Sequence, residues 1–100
     1  MITSNQKNRK ALYSAVSKIN SPDLAKRFLE DICTPAELDA LADRLKVAEL
    51  LLEEISYREI HHTTGTSTAT VTRVARSLHH GQNGYKDLFK RNTKGKEHEK

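Results

Sequence analysis

The sequence of residues 56–78, SYREIHHTTGTSTATVTRVARSL, predicts two short helices joined by a tight turn. Ser56 and Glu59 have the spacing of a capping box, in which the serine hydroxyl accepts a hydrogen bond from the amide three residues later. The helix that they open is expected to continue only to about Thr63, because Gly65 offers the left-handed backbone position at which many helices end. A short helix followed by a turn is therefore predicted here.

The second helix of this stretch has its own start signal and its own buried face. Thr66 and Ser67 offer hydroxyl groups that can cap the first amides of a helix. Val71, Val74 and Leu78 recur at steps of three and four residues, which places them on one helical face. Two helices with a glycine-containing turn between them form a helix-turn-helix, whose second helix enters the major groove in many DNA-binding proteins.

The other faces of the two helices carry small hydroxyl side chains and basic side chains. Hydroxyl groups can bond phosphate oxygens or base edges, and arginine can neutralise phosphate or bind guanine through two hydrogen bonds. The candidate DNA-contacting residues are Arg58, His61, Thr66, Ser67, Thr68, Thr70, Thr72, Arg73 and Arg76. The alternative interpretation is an ordinary helical core whose solvent face happens to be basic.

The N-terminal third of the chain predicts two further helices. Apolar residues at helical spacing indicate an amphipathic helix over residues 8–20. Ser21 and Pro22 then supply a capping hydroxyl and a proline at the first helical position, and this second helix is expected to end near Cys33. A single cysteine cannot form an intrachain disulfide, so Cys33 is interpreted as a small buried hydrophobic residue.

The central helix begins at a strong capping motif. Thr34 and Glu37 have capping-box spacing, and Pro35 occupies the first helical position. A wide apolar surface follows, formed by Leu38, Leu41, Leu45, Val47, Ala48, Leu50, Leu51 and Leu52. A surface of that width predicts a helix that is buried from several sides.

The C-terminal part predicts one more short helix and a tail. Gly81 and Gly84 bracket a loop, after which Tyr85, Leu88 and Phe89 are spaced for a final helix. About six helices and no strand pattern predict an all-α fold. We expect a single helical domain over residues 1–92, and a disordered polar tail over residues 93–100.

Composition limits the classes of protein to which this chain can belong. It has 100 residues, 36% hydrophobic and 30% charged, without an apolar run as long as a membrane span or secretory signal would need. We therefore expect a soluble, cytoplasmic protein. The net charge is +4, and residues 56–80 hold three arginines against Glu59 alone, which concentrates positive charge where nucleic acid could bind. The modest core of so short a chain favours a dimer.

The sequence offers no recognisable catalytic or metal-binding constellation. His61 and His62 are adjacent in the chain, as are His79 and His80, so the two rings of each pair point to different sides of a helix. Such pairs are poorly placed to share a metal ion. The acidic residues are scattered along helix faces rather than paired in a cleft. We therefore predict neither an enzyme nor a metal site.

Several of these residues also carry a family resemblance. The ones that carry it are Thr34-Pro35-x-Glu37, Leu41, Arg44, the capping residues Ser56 to Glu59, and TGTSTATVTR at residues 64–73. Together they closely resemble the Trp repressor superfamily. The longer run TGTSTATVTRVARSL, followed by His80-Gly81 and Tyr85, is most similar to the YerC/YecD branch of TrpR-related proteins. The resemblance covers roughly residues 24–89.

The resemblance implies an intertwined homodimer in which N-terminal and central helices of both subunits share a core. It also implies that the protein carries two protruding DNA-binding heads. A symmetric dimer of this kind would set its two recognition helices one turn of DNA apart, about 34 Å, and would bind a two-fold related operator.

The resemblance also implies an effector site. In tryptophan-responsive members the corepressor lies between the central and recognition helices, with its carboxylate held by basic side chains. The matching positions here are Arg44 and Arg73, with Thr34, Thr70 and Ser77 nearby. Val74 stands where those members have glycine, and its side chain would occupy volume that the indole ring needs, which argues against a tryptophan-like corepressor. The alternative for Arg44 is an ordinary ion pair on the helix surface.

Three hypotheses follow for the function. The first is a sequence-specific transcriptional regulator, a repressor that binds double-stranded DNA as a homodimer. The second is a switch that responds to tryptophan or a related small metabolite by shifting the population of a DNA-competent arrangement. The third is a helical adaptor that binds protein or structured RNA, for which binding would show little salt dependence or a preference for RNA, respectively.

Overall fold

The computed structural model describes residues 2–90, and within that range it contains six helices and no strand. Five of the helices are α1 (Ser4–Ser17), α2 (Pro22–Ile32), α3 (Pro35–Leu52), α4 (Tyr57–Thr64) and α5 (Thr68–His80). Residues 84–90 are helical as well and are named α6. The predicted all-α fold of about six helices is thus confirmed. The predicted tail, residues 93–100, lies outside the described residues.

The chain divides into two compact units, Met1–Leu38 and Asp39–Lys100. The first contains α1, α2 and the start of α3, and the second contains the rest of α3 together with α4, α5 and α6. The expectation of a single domain over residues 1–92 stays a prediction. None of the helices among residues 2–90 combines the length and the apolar character that a membrane span requires.

Helix α1 begins at Ser4, four residues before the predicted start, and ends at Ser17 rather than at residue 20. Its start is set by Thr3 and Gln6. The Gln6 amide donates to the Thr3 hydroxyl at 3.1 Å, and the Thr3 amide donates to the Gln6 side-chain oxygen at 2.8 Å. This capping box precedes the first apolar position of the helix, so the apolar periodicity alone placed the start too late.

Helix α2 has the predicted start and end. The Ser21 hydroxyl accepts from the Leu24 amide at 3.1 Å, Pro22 is the first helical residue, and the half-buried Cys33 follows the last one. Its exposed surface carries an ion pair in which Arg27 Nε lies 3.0 Å from an Asp23 carboxylate oxygen. Local capping chemistry therefore fixes both boundaries of this helix.

Helix α3 starts with the predicted reciprocal contact. The Glu37 amide donates to the Thr34 hydroxyl at 3.1 Å, and the Thr34 amide donates to the Glu37 carboxylate at 2.8 Å. Hydrogen bonds from the backbone and then the side chain of Thr34 hold the pKa of Glu37 below its ordinary value. Both partners are exposed, so the capping box needs no support from buried neighbours.

The core of the second unit joins three helices. Its buried residues are Val47 and Ala48 of α3, Ile60 of α4, and Val71 and Val74 of α5. Ala75 and Leu78 are also buried, which confirms the predicted buried face of α5. Leu50, Leu51, Ile55, Tyr85 and Phe89 pack against this cluster from its edges. Helices α4 and α5 are thereby held against the end of α3.

Helix α3 is less covered than its apolar surface predicts. Val47 and Ala48 are fully buried, whereas Leu41 and Leu45 are 43% and 44% exposed. Leu52 is 38% exposed. The core cluster of the second unit covers one side of the helix, and these three leucines lie outside that cluster. One chain therefore leaves part of the α3 apolar surface in contact with solvent.

Candidate nucleic-acid interface

The turn between α4 and α5 is organised around Gly65. This glycine ends α4 in the left-handed conformation, with φ of 74°, and its amide donates to the His61 carbonyl at 2.9 Å. A Cβ added to Gly65 would meet no atom within 4 Å. Glycine is favoured here by the backbone angle rather than by lack of space.

Three side-chain hydrogen bonds stabilise the same turn. The Thr64 hydroxyl donates to the Ile60 carbonyl at 2.6 Å and accepts from the Thr66 amide at 3.1 Å. The third contact joins His61 Nδ1 to the Thr66 carbonyl, 2.6 Å apart. A carbonyl oxygen only accepts hydrogen bonds, so His61 Nδ1 carries the proton of this contact. Residues of α4 thus hold the backbone that leads into α5.

Helix α5 begins at a hydroxyl cap. The Ser67 oxygen accepts from the Thr70 amide at 3.2 Å and donates its own proton to the Thr70 hydroxyl at 3.0 Å. Ser67 is exposed, while Thr70 is half-buried. The first turn of α5 is therefore fixed by its own side chains, as expected for serine at an N-cap.

The outward face of α5 is shallow, polar and basic. It forms a hollow of about 370 Å³ lined by Thr68, Ala69, Thr72, Arg73 and Arg76. These residues recur at helical spacing and lie opposite the buried valines of the same helix. The small side chains leave the helix backbone open to close approach, and the two arginines line the same hollow. We call this set the α5 outward face.

Among residues 2–90, no carboxylate forms an ion pair with the arginines of this part of the chain. Ion pairs among residues 2–90 join Lys26 to Glu30, Arg27 to Asp23, and Lys46 to Glu49. Arg58, Arg73 and Arg76 take part in none of them, and all three are exposed. Unpaired guanidinium groups at the surface are available to anions such as phosphate.

The nine predicted DNA-contacting residues fall into two groups by burial. The exposed ones are Arg58, His61, Ser67, Thr68, Thr72, Arg73 and Arg76. Thr70 is half-buried with its hydroxyl bonded to Ser67, and Thr66 is buried with its amide and carbonyl both bonded within the turn. The structure thus brings Thr68, Thr72, Arg73 and Arg76 together on the α5 outward face.

Of the five predicted effector residues, Thr34 belongs to the first unit and the other four belong to the second. Thr34 caps α3 in the first unit, and Arg44 is half-buried along the same helix. Arg73 lines the α5 outward face. Ser77 instead lines a second, mainly apolar pocket of about 480 Å³. The other residues of that pocket are Leu45, Gly81, Gln82, Gly84, Tyr85 and Leu88.

Val74 lies in the core, where it is 2% exposed and packs with Val47, Ile60 and Val71. Its side chain fills space between α3 and α5 within the second unit. No set of three or more His, Cys, Asp and Glu residues among residues 2–90 is placed to hold a metal ion.

Thr64 contributes to the turn although the sequence analysis assigns it no role. A threonine in the last turn of a helix can donate to the carbonyl four residues earlier, so this contact could have been predicted from the sequence. Its second contact, to the Thr66 amide, depends on the left-handed step at Gly65 and has no sequence signature of its own. The sequence predicts a DNA contact for His61 but gives no indication of its bond to the Thr66 carbonyl.

Comparison with known proteins gives a consistent result. Residues 7–93 match the family model described as Trp repressor protein. The chain is 39% identical over 74 residues to Uncharacterized protein YerC of Bacillus subtilis (strain 168), a match that covers 74% of this chain and 71% of the relative. It is 35% identical over 81 residues to a Trp operon repressor homolog of Xylella fastidiosa (strain M23), with 80% and 86% covered.

A solved structure has the same architecture. The crystal structure of a TrpR like protein from Eubacterium eligens ATCC 27750 matches with a TM-score of 0.79 and 38% sequence identity. The match covers 91% of each chain. At this identity and coverage the likeness extends to almost the whole sequence as well as to the order of the helices.

Proposed function

Because this chain belongs to the Trp repressor protein family, whose members are DNA-binding regulators and not enzymes, we propose that it is a sequence-specific transcriptional repressor that binds duplex DNA as a homodimer. It would act in the cytoplasm by occupying an operator and blocking transcription. The observation that carries this proposal is the α5 outward face, where two exposed arginines and three small residues line one hollow.

The dimensions of α5 suit a major groove. Its 13 residues correspond to a helix about 20 Å long, and the major groove of B-form DNA, about 12 Å wide, admits an α-helix. Thr68 and Thr72 are small enough to let the helix approach the base edges. Arg73 and Arg76, one helical turn apart, can then reach phosphates or guanine. Arg58 and Ser67 would contribute further contacts near the ends of the two helices.

The exposed apolar surface of α3 supports a dimer. Leu41, Leu45 and Leu52 each leave more than a third of their surface to solvent in one chain. Burial of such side chains is favourable by about 25 cal/mol per Å², and a second copy would offer the same surface in two-fold symmetry. Two copies present two α5 helices, so the preferred operator should be two-fold related.

Two observations favour DNA binding that is independent of tryptophan over DNA binding that tryptophan controls. Arg73 and Ser77, both expected to hold a corepressor, line different hollows. Val74 fills core volume at the position where a ring would insert. The proposal is therefore a repressor whose affinity for its operator is unchanged by tryptophan.

Selection of bound duplexes from a random DNA pool tests the proposal directly. Purified protein is used with and without tryptophan, at low salt so that phosphate contacts persist, and the double variant with Arg73→Ala and Arg76→Ala serves as the matched control. Enrichment of one two-fold symmetric motif by wild type alone, equally in both conditions, is the expected result. Absence of any enriched motif would contradict sequence-specific DNA binding, and a motif obtained only with tryptophan would contradict effector independence.

A further inference from the structure

The turn between α4 and α5 holds its backbone through side chains that the motif itself does not require. Gly65 provides the necessary left-handed step, yet a glycine permits many backbone conformations. The contacts from Thr64 and His61 remove that freedom, since they bond the carbonyl before the turn and both polar groups of the Thr66 backbone. These side-chain hydrogen bonds therefore restrict the conformation of a turn that glycine alone would leave flexible.

We propose that His61 is a positioning residue for DNA binding, which through its Nδ1–H bond to the Thr66 carbonyl sets the orientation of α5 relative to α4. The inference rests on the proposed DNA-binding function and concerns the regulation of the same surface. His61 then acts through the backbone rather than by touching DNA.

The position of the contact explains why it matters. Thr66 immediately precedes Ser67, the residue that caps α5, so the bonded carbonyl belongs to the peptide group that leads into the helix. Rotation of that peptide group would swing Thr68 and the rest of the α5 outward face together. Misplacement by a fraction of an ångström weakens directional hydrogen bonds to base edges without removing any DNA-contacting side chain.

The contact is compatible with both protonation states of the imidazole. The neutral tautomer with its proton on Nδ1 donates from that nitrogen, and so does the protonated ring. In each case Nε2 lies on the far side of the ring from the carbonyl. The positioning bond therefore depends on the presence of a donor at Nδ1 rather than on positive charge.

Variants of His61 can separate the role of the Nδ1 donor from that of Nε2. In His61→Asn the amide nitrogen lies close to the place of Nδ1, so the donor is retained while Nε2 is removed. In His61→Gln the longer side chain places its amide near Nε2 instead, and in His61→Ala both are lost. His62→Ala is the matched control, because His62 is the next residue of α4 and is likewise exposed.

The affinity of each full-length variant for the duplex selected by wild type is measured over a series of salt concentrations. Loss of one hydrogen bond corresponds to roughly three- to tenfold weaker binding. We expect that loss for His61→Ala and His61→Gln, with the salt dependence unchanged, and affinity within about twofold of wild type for His61→Asn and His62→Ala. Thermal unfolding of each variant confirms that the measurement temperature lies below its transition. Nitrogen-15 NMR of wild type should show the proton on His61 Nδ1.

The outcomes separate the two proposals. Failure of wild type to bind any selected duplex contradicts the DNA-binding function itself. Wild-type binding combined with full affinity of His61→Ala, or with a proton on Nε2 instead of Nδ1, overturns the positioning role alone. Failure of His61→Asn to restore affinity, together with a shallower salt dependence in all His61 variants, would mean that Nε2 touches phosphate and would also overturn it.

Discussion

The side-chain oxygens of Ser67 and Thr70 lie 3.0 Å apart at the first turn of α5, and the Thr70 amide donates to the same serine oxygen at 3.2 Å. One hydroxyl group therefore serves as acceptor for the backbone and donor to a neighbouring side chain. This pair fixes the end of α5 that lies next to the turn, where Thr68 joins the α5 outward face.

Ser67→Ala should destabilise the protein by about 1 kcal/mol, because it removes the N-cap acceptor and leaves the Thr70 amide without its partner. Urea-induced unfolding, followed by circular dichroism, measures the change. Ser77→Ala is the matched control, since Ser77 is an exposed serine inside the same helix, and it should change stability by less than about 0.5 kcal/mol. Equal unfolding midpoints for Ser67→Ala and wild type would contradict the capping role.

Arg73→Ala should weaken binding to the selected duplex by about 1–3 kcal/mol, because an exposed guanidinium group of the α5 outward face is lost. If the slope of log affinity against log salt concentration decreases by about one, Arg73 contacts a phosphate. If the slope is unchanged and the preference for one base relaxes, Arg73 contacts a guanine. Arg27→Ala, on α2, provides an arginine deletion outside the proposed surface and should bind as wild type does. Undiminished affinity of Arg73→Ala would remove that side chain from the proposed site.

Leu45→Glu should convert the proposed dimer to a monomer, because a carboxylate would be placed in the apolar surface that a second copy covers. Sedimentation velocity gives the mass of the particle in solution. Tyr57→Glu is the matched control, because Tyr57 is exposed to a similar extent, 47% against 44% for Leu45. Tyr57 lies on α4, outside the proposed α3 interface, so this variant should remain a dimer. A monomeric wild-type protein, or a Leu45→Glu variant that stays dimeric, would argue against α3 as the interface.

Stability in acid should depend on Glu37. Its folded-state pKa lies below the ordinary value, so its contribution to stability is fully present above the unfolded-state pKa and is lost as pH falls through the folded-state pKa. Glu37→Gln keeps a side-chain acceptor for the Thr34 amide but does not titrate. The fall in urea midpoint from neutral to acidic pH should thus be shallower in Glu37→Gln than in wild type. Asp39→Asn, which removes another carboxylate from α3, should not reproduce that change.

Local capping motifs predicted the helix starts well. Ser21, Thr34, Ser56 and Ser67 each accept the hydrogen bond that their spacing indicated, because that bond joins residues three apart and needs no distant partner. The start of α1 was wrong for a related reason. Thr3 precedes the apolar pattern on which that prediction rested, although its own capping box was present in the sequence.

Capping motifs and apolar periodicity do not predict contacts that depend on the path of the chain. The bond from His61 to the Thr66 carbonyl joins residues five apart and exists only because Gly65 turns the backbone. The exposure of Leu41 and Leu45 could not be predicted either. An apolar helix face indicates that another element packs against it, but it does not indicate whether that element belongs to the same chain. Periodicity predicts which face is apolar, and geometry decides what lies against it.

Helix α3 belongs to both compact units, because the boundary between Leu38 and Asp39 falls inside it. A gene fragment beginning at Asp39 would encode a helix that has lost its capping box and starts with amides that lack acceptors. Loss of such a cap costs about 1 kcal/mol of stability. A fragment that begins at Thr34 would keep this cap, so the stability of the proposed DNA-binding helices α4 and α5 is linked to the start of the helix against which they pack.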